Sequence, residues 1–185
     1  MRYTSFIALI FALLLSGCDT MQLEDFAQTT PTFVPQKVLD GRMTAYGLVK
    51  DYNGNIIRTF KGHLVGSWDS TTGEGELKEY FLYSDGEEER RTWHITPTAQ
   101  EGHYSGTADN VIGTSPIRVV GNTMMLDYTL RIPYNEGTLD IDIRDWLHLQ
   151  EDGVIINHSK MKKFGITVGE LVITIIKDFP LEERE

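Results

Sequence analysis

From Arg42 onward a turn signal interrupts the chain roughly every ten residues, and this cadence constrains the fold more than any other feature. Asn53-Gly54, Asp85-Gly86, Gly121-Asn122, Glu136-Gly137 and Asp152-Gly153 are hairpin-type pairs. Between these and other breaks lie short runs rich in β-branched and aromatic residues: Met43–Asp51, Ile56–Trp68, Glu76–Tyr83, Glu89–Thr96, His103–Ala108, Ile117–Val120, Thr123–Ile132, Thr138–Gln150, Val154–Ser159 and Ile166–Lys177. Such spacing belongs to an all-β sandwich or barrel. No window carries a helical stripe of useful length. So many antiparallel strands on one short chain must manage their edges, and closure removes edges altogether. The expectation is an all-β, antiparallel up-and-down β-barrel of about ten strands, with a β-sandwich as the alternative.

One hairpin can be read residue by residue. Ser84-Asp85-Gly86 fits a three-residue loop with Gly86 in the left-handed position. That register sets Tyr83 opposite Glu87, Phe81 opposite Glu89, Glu79 opposite Arg91 and Leu77 opposite Trp93. Leu77, Phe81, Trp93 and Ile95 then share the buried face. Glu79 and Arg91 share it too, and their opposite charges predict a cross-strand ion pair. In Thr138–Gln150, Leu139, Ile141, Ile143, Leu147 and Leu149 alternate onto one face, while Trp146 falls on the other among polar residues. Asp145 is the exception, an acid on the apolar face. A buried charge needs a partner, so Asp145 is expected to join Glu79 and Arg91. Glu79, Arg91, Asp145 and Trp93 form the candidate interior set. They fit a self-satisfied ion-pair network that fixes register, a site for a ligand headgroup, or a set with shifted pKa values for acid–base work, with Trp93 as packing or as a wall for an apolar ligand.

The N-terminus carries a second signal. Arg2 precedes an apolar run from Phe6 to Leu15. The run is too short to span a bilayer but has the length of a signal-peptide core. Leu15-Ser16-Gly17-Cys18 resembles the bacterial lipobox, in which the cysteine is acylated and the preceding segment removed. Cys18 is the chain's single cysteine, and lipidation explains a leftover thiol in an exported protein. Asp19 resembles a retention signal that favours the inner membrane over the outer. The expected organisation is a signal peptide over 1–17, a lipidated cysteine and flexible tether over 18–32, a barrel over 33–178, and a polar tail over 179–185. Pro35 to Leu39 fits one helical turn. The partner calls are a membrane reached through the lipid on Cys18, a possible lipid or apolar small molecule and a possible protein partner. A formal net charge of −10 disfavours nucleic acid and anionic headgroups. Membrane attachment is therefore expected from the lipid rather than from a basic patch.

Gly66-Ser67-Trp68 resembles the Gly-x-Trp signature of lipocalins, placed here on the second strand rather than the first. Larger blocks resemble the uncharacterised bacterial lipoprotein family called DUF thirty-eight thirty-three. They include Glu79-Tyr80-Phe81-Leu82-Tyr83-Ser84-Asp85-Gly86 with Arg91-Thr92-Trp93, and Gly106-Thr107-Ala108-Asp109-Asn110-Val111-Ile112-Gly113. Asp145-Trp146-Leu147-His148-Leu149, Ile155-Ile156-Asn157-His158 and Lys163-Phe164-Gly165 continue the match. It covers roughly Arg42 to Lys177, with departures at Arg144 and His158. The resemblance implies a lipoprotein with a lipocalin-like barrel.

Nothing in the sequence signals a catalytic residue, a metal site or a cofactor. Gly102-His103-Tyr104-Ser105-Gly106 is no nucleophile elbow. His63, His94, His103, His148 and His158 have no metal-ligand spacing. Gly73-Glu74-Gly75 lacks the third glycine of a dinucleotide loop. Three functions stay open: a membrane-anchored barrel binding a lipid or other apolar ligand, a structural or assembly lipoprotein with a filled barrel and a protein partner, and an enzyme acting on lipid intermediates. An interior cavity favours the first. A filled interior beside an exposed apolar patch favours the second.

Overall fold

The computed structural model describes residues 21–134 and 136–178. Ten strands follow one another: β1 (Gly41–Asp51), β2 (Ile56–Trp68), β3 (Gly75–Tyr83), β4 (Glu88–Pro97), β5 (His103–Ala108), β6 (Ser115–Val120), β7 (Thr123–Tyr134), β8 (Gly137–Leu149), β9 (Ile155–Lys163) and β10 (Ile166–Lys177). Each pairs antiparallel with its neighbours in sequence, and β1 closes on β10 from Met43↔Lys177 to Asp51↔Gly169. The architecture is therefore an up-and-down barrel and not a sandwich. The strands fall close to where the turn signals place them, except that β9 runs on to Lys163 instead of ending at Ser159.

Period-two alternation decides what faces inward. In β2 the buried positions are Phe60, Gly62, Leu64 and Gly66, and in β4 they are Arg91, Trp93 and Ile95. The main core joins Phe60, Leu64, Trp93 and Ile95 to Met43, Leu77, Phe81, Ile117, Met124, Leu147 and Ile155 from around the barrel wall.

The hairpin loops β1–β2, β3–β4, β7–β8 and β9–β10 gather at one end. The N-terminal segment closes the other. It comprises a 3-10 turn (Leu23–Phe26), a cis Thr30-Pro31 bond, and α1 (Pro35–Val38), with Pro35 in its first turn. Phe33 and Leu39 are each 1 % exposed and belong to the barrel core. Phe33 N–H donates to Gly121 O at 2.8 Å. Thr29 Oγ1 donates to Asn122 Oδ1 at 2.7 Å and accepts from Asn122 N–H at 3.0 Å. Two glycines make this approach possible. A Cβ on Gly66 would lie 1.7 Å from Leu39 O, and one on Gly121, whose φ is +55°, would lie 1.9 Å from Phe26 O.

This corrects the expectation of a flexible tether over 18–32. Among the described residues, 21–32 pack on the barrel. Leu23 is buried against Met125 and Trp146 on the outer face, with Phe26 beside them. The same packing explains Trp146, which points outward as its alternation requires and is nevertheless 8 % exposed. The polar composition of the segment hid two apolar anchors, Leu23 and Phe26. Met1–Gly17, Cys18, Asp19 and the tail over 179–185 lie outside the described residues.

Candidate ligand site inside the barrel

Capped at one end, the barrel encloses a cavity of about 550 Å³. Its walls are apolar above and below a polar belt. Leu39, Leu64, Leu77 and Ile95 line it toward the cap, and Phe60, Leu130, Ile132 and Ile143 line it toward the hairpins. It opens at the hairpin end, where Glu87, Glu88, Arg90, Arg131 and Pro133 border it.

The belt is built around the predicted pair. Glu79 and Arg91 are register partners on β3 and β4, as are Leu77 and Trp93. Arg91 Nη1 lies 3.8 Å from Glu79 Oε2, and the two side chains are only 9 % and 13 % exposed. The ion pair exists, but it is not the principal one. Glu89, two residues earlier on the same strand face, accepts a hydrogen bond from Arg91 Nη2. Arg91 Nε donates to Asn110 Oδ1 at 3.0 Å.

Asn110 reaches Arg91 because the sheet is interrupted there. β4 pairs with β5 only from Trp93 to Pro97. Beyond that point the β5–β6 loop lies along β7, through a Val111↔Leu130 bridge and an Arg131 N–H to Asn110 O bond of 2.8 Å. The free half of β4 therefore faces this loop, and side chains bridge the seam.

Asp145 enters from β8. Tyr128 on β7 donates to its Oδ2 at 2.9 Å. Tyr128 is in turn edge-on to Trp93, with ring centroids 5.2 Å apart. Trp93, 4 % exposed, thus packs in the core and also forms part of the cavity wall. Ser159 stands across from Asp145 on β9, its hydroxyl donating to Asn157 Oδ1 at 3.3 Å. Asp145 Oδ1 is enclosed and has no hydrogen-bond partner. The structure therefore brings Glu79, Arg91, Asp145 and Trp93 to one cavity, as the alternation predicts.

Desolvation governs the electrostatics of the belt. Burial pushes Glu79 up to about 7, with Arg91 pulling it down, Asp145 and Glu89 pushing it further up, and the Trp93 indole pulling down. Burial also raises Asp145, against the opposing pull of Ser159, Tyr128, Arg91 and Asn157. For Arg91, burial works against the charge, but Tyr128, Glu79 and Glu89 outweigh it and hold the guanidinium above its ordinary range. Burial, reinforced by Asp145, raises Tyr128 well above the usual phenol value, so its hydroxyl stays a donor.

Sequence reasoning missed Glu89, Asn110, Tyr128, Asn157 and Ser159. Glu89 was within reach, because period two from Arg91 puts it on the same face. Asn110 was not, because its contact depends on where β5 leaves the sheet.

A closed antiparallel barrel with an interior cavity and a polar belt defines a lipocalin-like fold. The barrel is similar to the S-type phycobiliprotein lyase CPES from Guillardia theta, with a TM-score of 0.55 and 7 % identity over 86 % of this chain and 94 % of that one. A weaker likeness, with a TM-score of 0.42 and 13 % identity over 77 % and 95 % of the two chains, joins it to EF1p2_mFAP2b bound to DFHBI. No curated protein matches the chain in sequence. Residues 12–177 match the family described as "Protein of unknown function (DUF3833)", and the chain belongs to that family.

Proposed function

We propose that this protein is a lipoprotein anchored to the periplasmic face of a membrane through Cys18, and that its barrel binds a lipid or other apolar molecule. The cavity is the observation that carries the binding half. Its volume of about 550 Å³ lies within the range of small-molecule sites, and apolar walls around a few convergent polar groups are the usual composition of such sites. A solved phycobiliprotein lyase is built on a similar barrel. That analogy concerns fold alone.

The anchoring half rests on the sequence. Residues 1–17 are proposed as a cleaved signal peptide, with Cys18 as the acylated residue and Asp19 favouring the inner membrane. Labelled palmitate should enter the parent chain and not Cys18→Ala. A label retained by the variant sinks the anchor.

Native mass spectrometry of the chain expressed with its export signal in a bacterial host tests the binding half. The expected result is a stoichiometric adduct of lipid mass. A clean apo mass across several lipid-rich preparations overturns it.

A protein partner at the hairpin end is the second reading. Tyr52, Ile56, Phe164 and Ile166 are 60 to 88 % exposed on the adjacent β1–β2 and β9–β10 tips, and clustered exposed apolar side chains mark contact surfaces. Crosslinking at those tips in cells tests it.

A further inference from the structure

The belt of the cavity holds more acids than cations. Four arginines line it: Arg58, Arg90, Arg91 and Arg131. Each is already paired. Arg58 Nη2 donates to Asp85 Oδ1 and Glu87 Oε2 at 2.8 Å each, and its guanidinium lies 3.8 Å from the Tyr83 ring centroid. Arg131 forms a two-pronged pair with Asp140 at 2.7 and 2.9 Å. Arg90 Nη2 is 4.0 Å from Glu88 on the rim. Arg91, the one in the interior, faces Glu79 and Glu89 and also serves Asn110. At the belt a carboxylate or phosphate head meets three acids around one guanidinium that they already engage; the enclosed arginine donor left without a partner, Arg58 Nε, lies away from the belt, toward the hairpin end.

The acids are in the opposite position. Glu79, Glu89 and Asp145 share a single guanidinium. Asp145 Oδ1 is enclosed and makes no well-formed hydrogen bond, although Ser159 and Asn157 lie close enough to favour its charge. Glu79 has the 3.8 Å approach of Arg91 as its ion pair and the Trp93 indole as a donor. Both carboxylates line the cavity. A buried acceptor without a donor costs free energy that an incoming donor recovers.

We infer that the barrel selects apolar molecules with a protonated amine head, which is held between Glu79 and Asp145, over molecules with an anionic head. This rests on the ligand-binding reading above and names the ligand class for the same site. The ammonium brings up to three N–H donors and the charge that the belt lacks. Its alkyl chain lies along the apolar wall toward the hairpins, past Phe60, Leu130 and Ile143.

Proton release accompanies binding. In the empty barrel Glu79 titrates near 7. The charged and titratable groups facing it are Glu89 and Arg91 from β4, Tyr128 from β7 and Asp145 from β8. An arriving ammonium stabilises the ionised form, so Glu79 gives up its proton to solvent. Amine affinity therefore rises from pH 6 to pH 8.

Three probes of equal chain length test the inference: dodecylamine, dodecanol and dodecanoic acid, each displacing an apolar fluorophore from the full mature chain. At pH 8 the amine should bind at least about tenfold tighter than the acid, a gap of the size set by one charge interaction. The near-isosteric Glu79→Gln/Asp145→Asn double variant should erase that preference and leave dodecanol unchanged. Equal binding of all three leaves the cavity reading standing and overturns the head assignment, as does a preference for the acid. Failure of all three to displace the fluorophore overturns the cavity reading itself. The ranking on the parent chain decides the matter even where the double variant folds poorly.

Discussion

At the capped end of the barrel, Phe33 and Leu39 are sealed between the strand ends, and the backbone of Leu39 crosses Gly66 too closely for any side chain there. At the open end, Phe164 stands 88 % exposed beside Ile166, facing the tip that carries Tyr52 and Ile56. Apolar residues occur at both ends. The difference is that a segment of the chain covers one end and none of the described residues covers the other. Closing a sheet into a barrel satisfies its edges but not its ends, so each end needs its own solution. Here the cavity is the space between an end that is closed and one that is not, and the charged belt sits at mid-depth, out of reach of both.

The sharpest way to break this contrast is to remove the belt's cation. Arg91→Ala leaves Glu79, Glu89 and Asp145 without the cation they share, and should cost about 3–5 kcal/mol at pH 8. Part of that loss should return at pH 5 as the acids take up protons. Urea denaturation at the two pH values checks it, and an unchanged midpoint shows that water already screens the belt.

Next in size is the cap. Phe33→Ala should cost about 3 kcal/mol, because the side chain is fully enclosed. It should also open the floor of the cavity, raising fluorophore off-rates. A cost below about 1 kcal/mol means that the cap is an accessory and the two ends are alike.

The belt makes a smaller prediction of the opposite sign. An ordinary glutamate titrates at 4.5, and Glu79 in the barrel at about 7. Between those values the folded chain holds a proton that the unfolded chain has lost, so the contribution of Glu79 to stability falls as pH climbs through this window. Glu79→Gln removes that slope. At pH 8 the variant should be more stable than the parent by on the order of 2 kcal/mol, and the gap should close near pH 5. A gap independent of pH refutes the assignment.

The smallest effect belongs to the open rim. Phe164→Ser should change stability by no more than about 0.5 kcal/mol, despite deleting a large apolar side chain. If thermal melting shows a larger loss, the rim is packed in solution and the contrast between the ends disappears.

Much of this is legible in the order of the residues. The Ser84-Asp85-Gly86 loop fixes the register of β3 against β4, and with it the opposition of Glu79 to Arg91 and of Leu77 to Trp93. Alternation in β8 put Asp145 inside and Trp146 outside. It could not show that Trp146 is buried, because Leu23 and Phe26, which cover it, lie about 120 residues away in a stretch that reads as polar. Nor could it show Tyr128 beneath Asp145, since that contact needs the β7–β8 register and the wall curvature together.

Strand content, turns, inward and outward faces and the unlike charges on the inner face are readable from residue order, because each depends on neighbours within one hairpin. The closure of β1 on β10, the packing of Leu23 and Phe26 on the outer wall, the sharing of Arg91 among several partners and the survival of a cavity are set by long-range assembly. Those outcomes depend on how far the sheet curls before its edges meet and on which distant side chains then compete for one enclosed charge, and neither quantity has a local signature.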